Sequence, residues 1–177
     1  MIPLTRTLVA AMTIVSALGP AAAAAEVSSA PCPEPLRRQF DFWLGTWEVT
    51  NPAGKVVGHS RIESILEGCA LQEHWQSTSG VAGKSLNVYN LDKQLWEQFW
   101  VDNSGARLHL VGGLDEGQMV LRNQESADVR TLATQNERVT WTPNADGSVR
   151  QLWETSKDGG KTWTVSFDGL YRRSPEK

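Results

Sequence analysis

From Trp47 to Arg172 the chain is a succession of short segments rich in β-branched and aromatic residues, joined by hairpin-length connections. No intervening stretch has the length and 3.6-residue period of a crossover helix, so neighbouring strands must pair antiparallel. Asn51-Pro52-Ala53-Gly54, Glu67-Gly68, Leu91-Asp92-Lys93, Gly112–Gly117 and Asn144-Ala145-Asp146-Gly147 supply turn chemistry. The strands so delimited include Lys55–Ile65, Cys69–Thr78, Lys84–Asn90, Gln94–Asp102, Val129–Gln135, Arg138–Pro143 and Ser148–Thr155, about ten in all. That number of sequential antiparallel strands closes into a barrel or stacks as a sandwich. Several strands carry polar residues on both faces, which suits a barrel with a wet or ligand-filled lumen. The expected fold is all-β, an up-and-down antiparallel barrel of about ten strands.

The entry to the first strand is Phe40–Thr50, Phe-Asp-Phe-Trp-Leu-Gly-Thr-Trp-Glu-Val-Thr. Phe40, Trp43 and Leu44 share one face of a short helix predicted over Glu34–Leu44. Gly45 can stop that helix, and from Trp47 the period becomes two, with Trp47 and Val49 on one face. A Gly-x-Trp opening after a short helix resembles the start of lipocalin-like barrels, the calycins. The full eleven residues resemble small secreted bacterial proteins grouped with them. The resemblance implies a lipocalin- or fatty-acid-binding-protein-like barrel, one end closed by the helix, with Trp47 packed inside that end. It also implies a stack of Trp47 against Arg172 or Arg173. It implies no particular reaction.

Residues 1–25 read as a secretory signal: Arg6, an apolar run from Leu8 to Leu18, then Ala23-Ala24-Ala25 before Glu26. The run is shorter than the roughly 20 apolar residues needed to span a bilayer. The first cysteine, Cys32, lies past it in Ala-Pro-Cys-Pro, so no lipid anchor is expected. Residues 26–35 form a proline-bearing linker and 36–177 a single barrel domain. A periplasmic or secreted protein follows, and in that setting Cys32 and Cys69 are expected to form a disulfide. The formal net charge of −3, without a basic run, argues against nucleic acid and anionic membrane as partners.

Motifs narrow the chemistry further. His59, His74 and His109 lack metal-ligand spacing and have no cysteine pair to join, so no metal site is expected. Nitrobindin-like relatives of this barrel hold haem through a histidine near the C-terminus. The closing strand Trp163–Arg172 has none, and no cofactor is expected. Gly-x-Ser-x-Gly, Ser-x-x-Lys and phosphate-binding glycine loops are also missing. Ser156–Trp163 fits the Asp-box pattern Ser-x-Asp-x-Gly-x-Thr-Trp of sialidase-type propellers. A propeller needs one box per blade, so this single box reads as a structural hairpin.

What remains is a set of polar and aromatic residues at period two on strands that should be neighbours. Leu71, Glu73 and Trp75 share a face, as do Ser85, Asn87 and Tyr89, and Trp96, Gln98, Trp100 and Asp102. His59, Arg61 and Glu63 form a fourth set. Eight tryptophans in so small a domain point to rings in the interior or around a pocket. If these faces turn inward, Arg61, Glu73, Asn87, Tyr89, Gln98 and Asp102 would orient a small, partly aromatic or amphipathic ligand. Trp75, Trp96 and Trp100 would wall it. A buried Glu73 or Glu63 needs a donor such as Arg61. The alternative is a cofactor-free isomerase, cyclase or hydrolase, with Glu73 or Glu63 as general acid or base and Tyr89 or Asn87 stabilising charge.

Overall fold

The structure, a computed structural model, describes Cys32, residues 34–123 and residues 135–174. Ten strands follow one another around a closed barrel, each hydrogen-bonded to its sequence neighbours, with the last paired to the first. They are β1 Gly45–Thr50, β2 Val56–Ile65, β3 Ala70–Ser77, β4 Ala82–Asn90, β5 Leu95–Asp102, β6 Arg107–Asp115, β7 Gln118–Arg122, β8 Asn136–Pro143, β9 Val149–Ser156 and β10 Thr164–Arg173. Every pairing is antiparallel, and β1 meets β10 with Val49 opposite Tyr171 and Trp47 opposite Arg173. Among the described strands, closure leaves no free edge to pair with another chain. The strand candidate Val129–Gln135 lies, up to residue 134, outside the described residues.

The short helix expected before β1 is present in 3₁₀ form. Two 3₁₀ turns, Leu36–Arg38 and Asp41–Trp43, are separated by Phe40 in a non-helical conformation. In a 3₁₀ turn residues three apart eclipse, which suits Phe40 and Trp43, whose rings stack at 5.1 Å. The chain then enters β1 through Gly45 at φ +132°, and a Cβ there would lie 2.1 Å from an Arg173 guanidinium nitrogen. Only glycine fits that position. The guanidinium sits 4.5 Å from the Trp47 ring centre, so Arg173, not Arg172, makes the expected barrel-end stack.

Phe40, Trp43, Trp47, Trp96, Trp141 and Tyr171 are all buried, and they plug this end of the barrel. Phe40 lies at their centre, with Trp96 at 5.7 Å and Trp141 at 5.2 Å, both edge-on. Each such side chain contributes roughly 1.5–3 kcal/mol on burial, so the plug is a principal source of stability. The Cys32–Cys69 disulfide fastens the segment before the plug to the start of β3, with the two Cα atoms 5.4 Å apart. Its 37-residue separation gives a loop-entropy contribution of about 3–4 kcal/mol.

Two turns bear on the sequence reading. Gly112-Gly113, expected as a hairpin turn, lies inside β6, and the reversal falls at Glu116-Gly117, both with positive φ as a type I′ turn requires. Gly112 is there because β7 approaches closely: an added Cβ would meet the Val120 carbonyl oxygen at 2.1 Å. The Asp-box segment between β9 and β10 is a self-bonded hairpin. The Asp158 carboxylate accepts from the Lys161 and Thr162 amides and the Thr162 hydroxyl, and Ser156 Oγ receives the Gly160 amide.

Candidate functional site

The strands reach the end opposite the plug through the connections after Thr50, Ser77, Asp102 and Ser156. Toward that end lies a cavity of about 190 Å³. Trp75 on β3, Trp100 on β5, Trp153 on β9 and Phe167 on β10 wall it. Glu73, Gln98, Gln151 and Tyr171 supply its polar atoms, and Leu108, Val139 and Ser166 complete the lining.

The pleat of β3 turns Leu71, Glu73 and Trp75 inward together, as the sequence predicts. Glu73 is 4 % exposed. Its two oxygens accept hydrogen bonds from Ser60 Oγ at 3.0 Å and Ser85 Oγ at 2.9 Å. Asn87 Nδ2 donates to Ser85 Oγ at 3.0 Å and to the Leu71 carbonyl at 3.3 Å. Gln98 Nε2 in turn donates to Asn87 Oδ1 at 2.8 Å. Because Ser85 Oγ receives the Asn87 amide, its own proton points at Glu73, and the relay runs in one direction from Gln98 to the carboxyl.

Burial raises the Glu73 pKa from an ordinary 4.5 to about 7, against the smaller opposing effect of the two serine hydroxyls. Tyr171, whose hydroxyl donates to Gln151 Oε1, is pushed well above the usual phenol range by burial and then by the neighbouring Glu73 charge. It therefore stays a neutral donor at physiological pH. Near neutrality Glu73 can give or take a proton, or pair with a positive charge, without leaving its place.

The expected site residues divide among several locations. Glu73, Trp75, Gln98 and Trp100 converge on the cavity. Asn87 is fully buried one step behind it, where it orders Ser85. Tyr89 and Trp96 pack on each other at the closed end with ring centres 6.0 Å apart, and the Trp96 indole N–H donates to Gln39. Asp102 ends β5 and accepts from the Ser104 amide and hydroxyl and the Ala106 amide, fixing the next turn.

Arg61 and Glu63 stand on the outer surface, joined to each other at 2.5 Å, with His74 Nε2 3.5 Å from Glu63. On β2 it is Ser60 and Ile62 that face inward, with Ile62 opposite Glu73. The donor that a buried Glu73 was expected to need, Arg61 or another, is thus a pair of serine hydroxyls. A protonated carboxyl needs hydrogen-bond partners, which serine hydroxyls supply, and no counter-ion, so the lumen can hold it without burying a guanidinium.

Sequence reading missed Gln151, Trp153, Ser166, Phe167 and Tyr171. The period-two spacing of Gln151 with Trp153, and of Phe167 with Tyr171, carried a signal for four of them. Ser166 had none, because a bulge between Val165 and Phe167 breaks the alternation of β10. Among the described residues no group of three or more His, Cys, Asp and Glu side chains is placed to hold a metal ion. Comparison with protein-family models gives no match, and comparison with curated proteins gives none either.

Proposed function

We propose that this is a lipocalin-like binding protein, periplasmic or secreted, whose lumen takes a small, partly aromatic or amphipathic ligand. The observation that carries this reading is a cavity of about 190 Å³ with aromatic walls and a hydrogen-bonding floor. Its volume is below the roughly 300–1,000 Å³ typical of drug-sized ligands, so the fitting part of the ligand is about one ring with a polar substituent. The Cys32–Cys69 disulfide and the signal-like residues 1–25 support an oxidising, extracytoplasmic setting. Among the described residues no helix is long and apolar enough to cross a membrane.

Three cavity indoles make intrinsic fluorescence a direct reporter of binding. Titration with single-ring aromatic compounds should quench or shift the emission saturably. Val139→Phe, which fills the cavity from β8, should abolish that response while the far-ultraviolet circular dichroism stays unchanged. A response that persists in Val139→Phe would place the ligand outside the lumen.

A second reading, a cofactor-free enzyme, is favoured by the burial of Glu73 in the lumen, which pushes its pKa up to about 7, where a general acid or base is most useful. Glu63 is too far outside the lumen to share that role, and Tyr89 belongs to the plug. Glu73→Gln should then remove turnover of any lumenal substrate while leaving its binding in place. Undiminished turnover in that variant would eliminate Glu73 as the catalyst.

A further inference from the structure

Charge sorts the cavity's possible occupants more sharply than shape does. Among the described residues that line it, none is Lys, Arg or His, and Glu73 is the one carboxyl. Two of the wall indoles are themselves tied to acids. Trp153 Nε1–H donates to Glu137 Oε2 at 2.5 Å, and Trp100 Nε1–H points to Asp102 Oδ2 at a longer 3.4 Å. An acceptor on the indole N–H pushes electron density into the ring and strengthens the negative potential of its face, the surface a cation seeks. Trp75 and Phe167 add two more rings to the wall, packed edge to face with ring centres 5.8 Å apart. The cavity is therefore walled by four aromatic rings around one carboxyl, with two further acids bonded to the wall indoles.

We propose that the lumenal ligand is a small organic cation, an amine or ammonium compound, whose positive head sits among Trp75, Trp100, Trp153 and Phe167 against the Glu73 carboxylate. This rests on the lumen-binding reading above and specifies its ligand class. An anion would meet an acid, indoles of enriched negative potential and no basic partner. A neutral ligand would use the aromatic walls beside the protonated carboxyl and gain nothing from its charge. Because the cavity accepts the cation against ionised Glu73, binding releases the proton that burial holds there. The groups facing Glu73 from adjoining elements are Ser60 on β2, Ser85 and Asn87 on β4, and Tyr171 on β10. Of these Tyr171 alone titrates, and it remains neutral over the range concerned. Glu137 stands behind Trp153 and also accepts from Thr155 and Gln135.

The test uses three probes of nearly equal size on the full folded protein: benzylamine, benzyl alcohol and benzoate, followed by tryptophan fluorescence. Benzylamine should bind at least tenfold more tightly than benzyl alcohol at about pH 8, and benzoate most weakly. Benzylamine affinity should rise about tenfold or more from about pH 5.5 to about pH 8, while that of benzyl alcohol stays within about twofold. Glu73→Gln should remove the preference for the amine and retain alcohol binding. The wild-type pH series carries the test alone if that variant does not fold. Equal or tighter binding of benzyl alcohol or benzoate would overturn the cation assignment and leave the lumen as a binding site. A flat response to all three probes would overturn both readings.

Discussion

Folding moves Glu73 from water into a lumen where two serine hydroxyls, rather than a cation, face its carboxyl. The consequence for stability follows from the order in which the two states lose the proton. Below about pH 4.5 the folded and unfolded chains both hold it, and Glu73 contributes no pH dependence. Between about 4.5 and about 7 the unfolded chain ionises while the folded one does not, so stability falls as pH rises. Above about 7 the loss levels off at about 3 kcal/mol. Glu73→Gln keeps a group that the two serines can bond and removes the ionisation. It should therefore be about 2–3 kcal/mol more stable than wild type at about pH 8 and nearly equal to it at about pH 4 by urea denaturation. A gap of the same size at both pH values would mean that ionisation of Glu73 is not its source. The inward set Leu71, Glu73 and Trp75 was legible because apolar neighbours mark that face of β3. On β2 the run His59-Ser60-Arg61-Ile62-Glu63 is polar on one face and mixed on the other, so the expectation placed Arg61 inside. A shift of one residue reverses every such assignment, and only pairing with β3 decides it.

At the scale of elements, local chemistry located the strands and tertiary contact set their ends. Asn51-Pro52-Ala53-Gly54 and Asn144-Ala145-Asp146-Gly147 form the turns expected of them, closed by Gly54 N to Asn51 O and Gly147 N to Asn144 O. Gly112 was misread because a glycine required by a neighbouring strand looks, in sequence, like one required by a turn. The Asp-box hairpin shows the converse, a motif whose local bonds are self-sufficient. Its network holds the Asp158 pKa down to about 2, chiefly through the Thr162 hydroxyl and amide. Asp158→Ala should speed amide exchange at Lys161 and Thr162 while leaving exchange in β3 and β5 unchanged. Protection lost throughout the barrel would show that the hairpin supports the whole fold rather than one connection.

The whole molecule divides its eight tryptophans by position along the barrel axis. Trp43, Trp47, Trp96 and Trp141 fill the closed end, and Trp75, Trp100 and Trp153 line the cavity. Trp163 lies on the outer hairpin under the Arg138 guanidinium, 4.2 Å from its ring centre. One half of the lumen is thus packed solid, which fixes the barrel's shape, and the other half is left partly empty above a relay that orients Glu73. The abundance of indole was legible as an interior feature, but its division into plug and wall was not, because it depends on how far each strand reaches. The proposed cation site depends on Glu73 being a buried carboxyl with its pKa pushed up to about 7. Carbon-13 NMR of the glutamate side-chain carboxyl groups, titrated with pH and assigned with Glu73→Gln, measures this directly. The Glu73 midpoint should be about 7 in the free protein and fall by at least one pH unit when benzylamine saturates the cavity. A midpoint near the ordinary 4.5, unmoved by benzylamine, would contradict it.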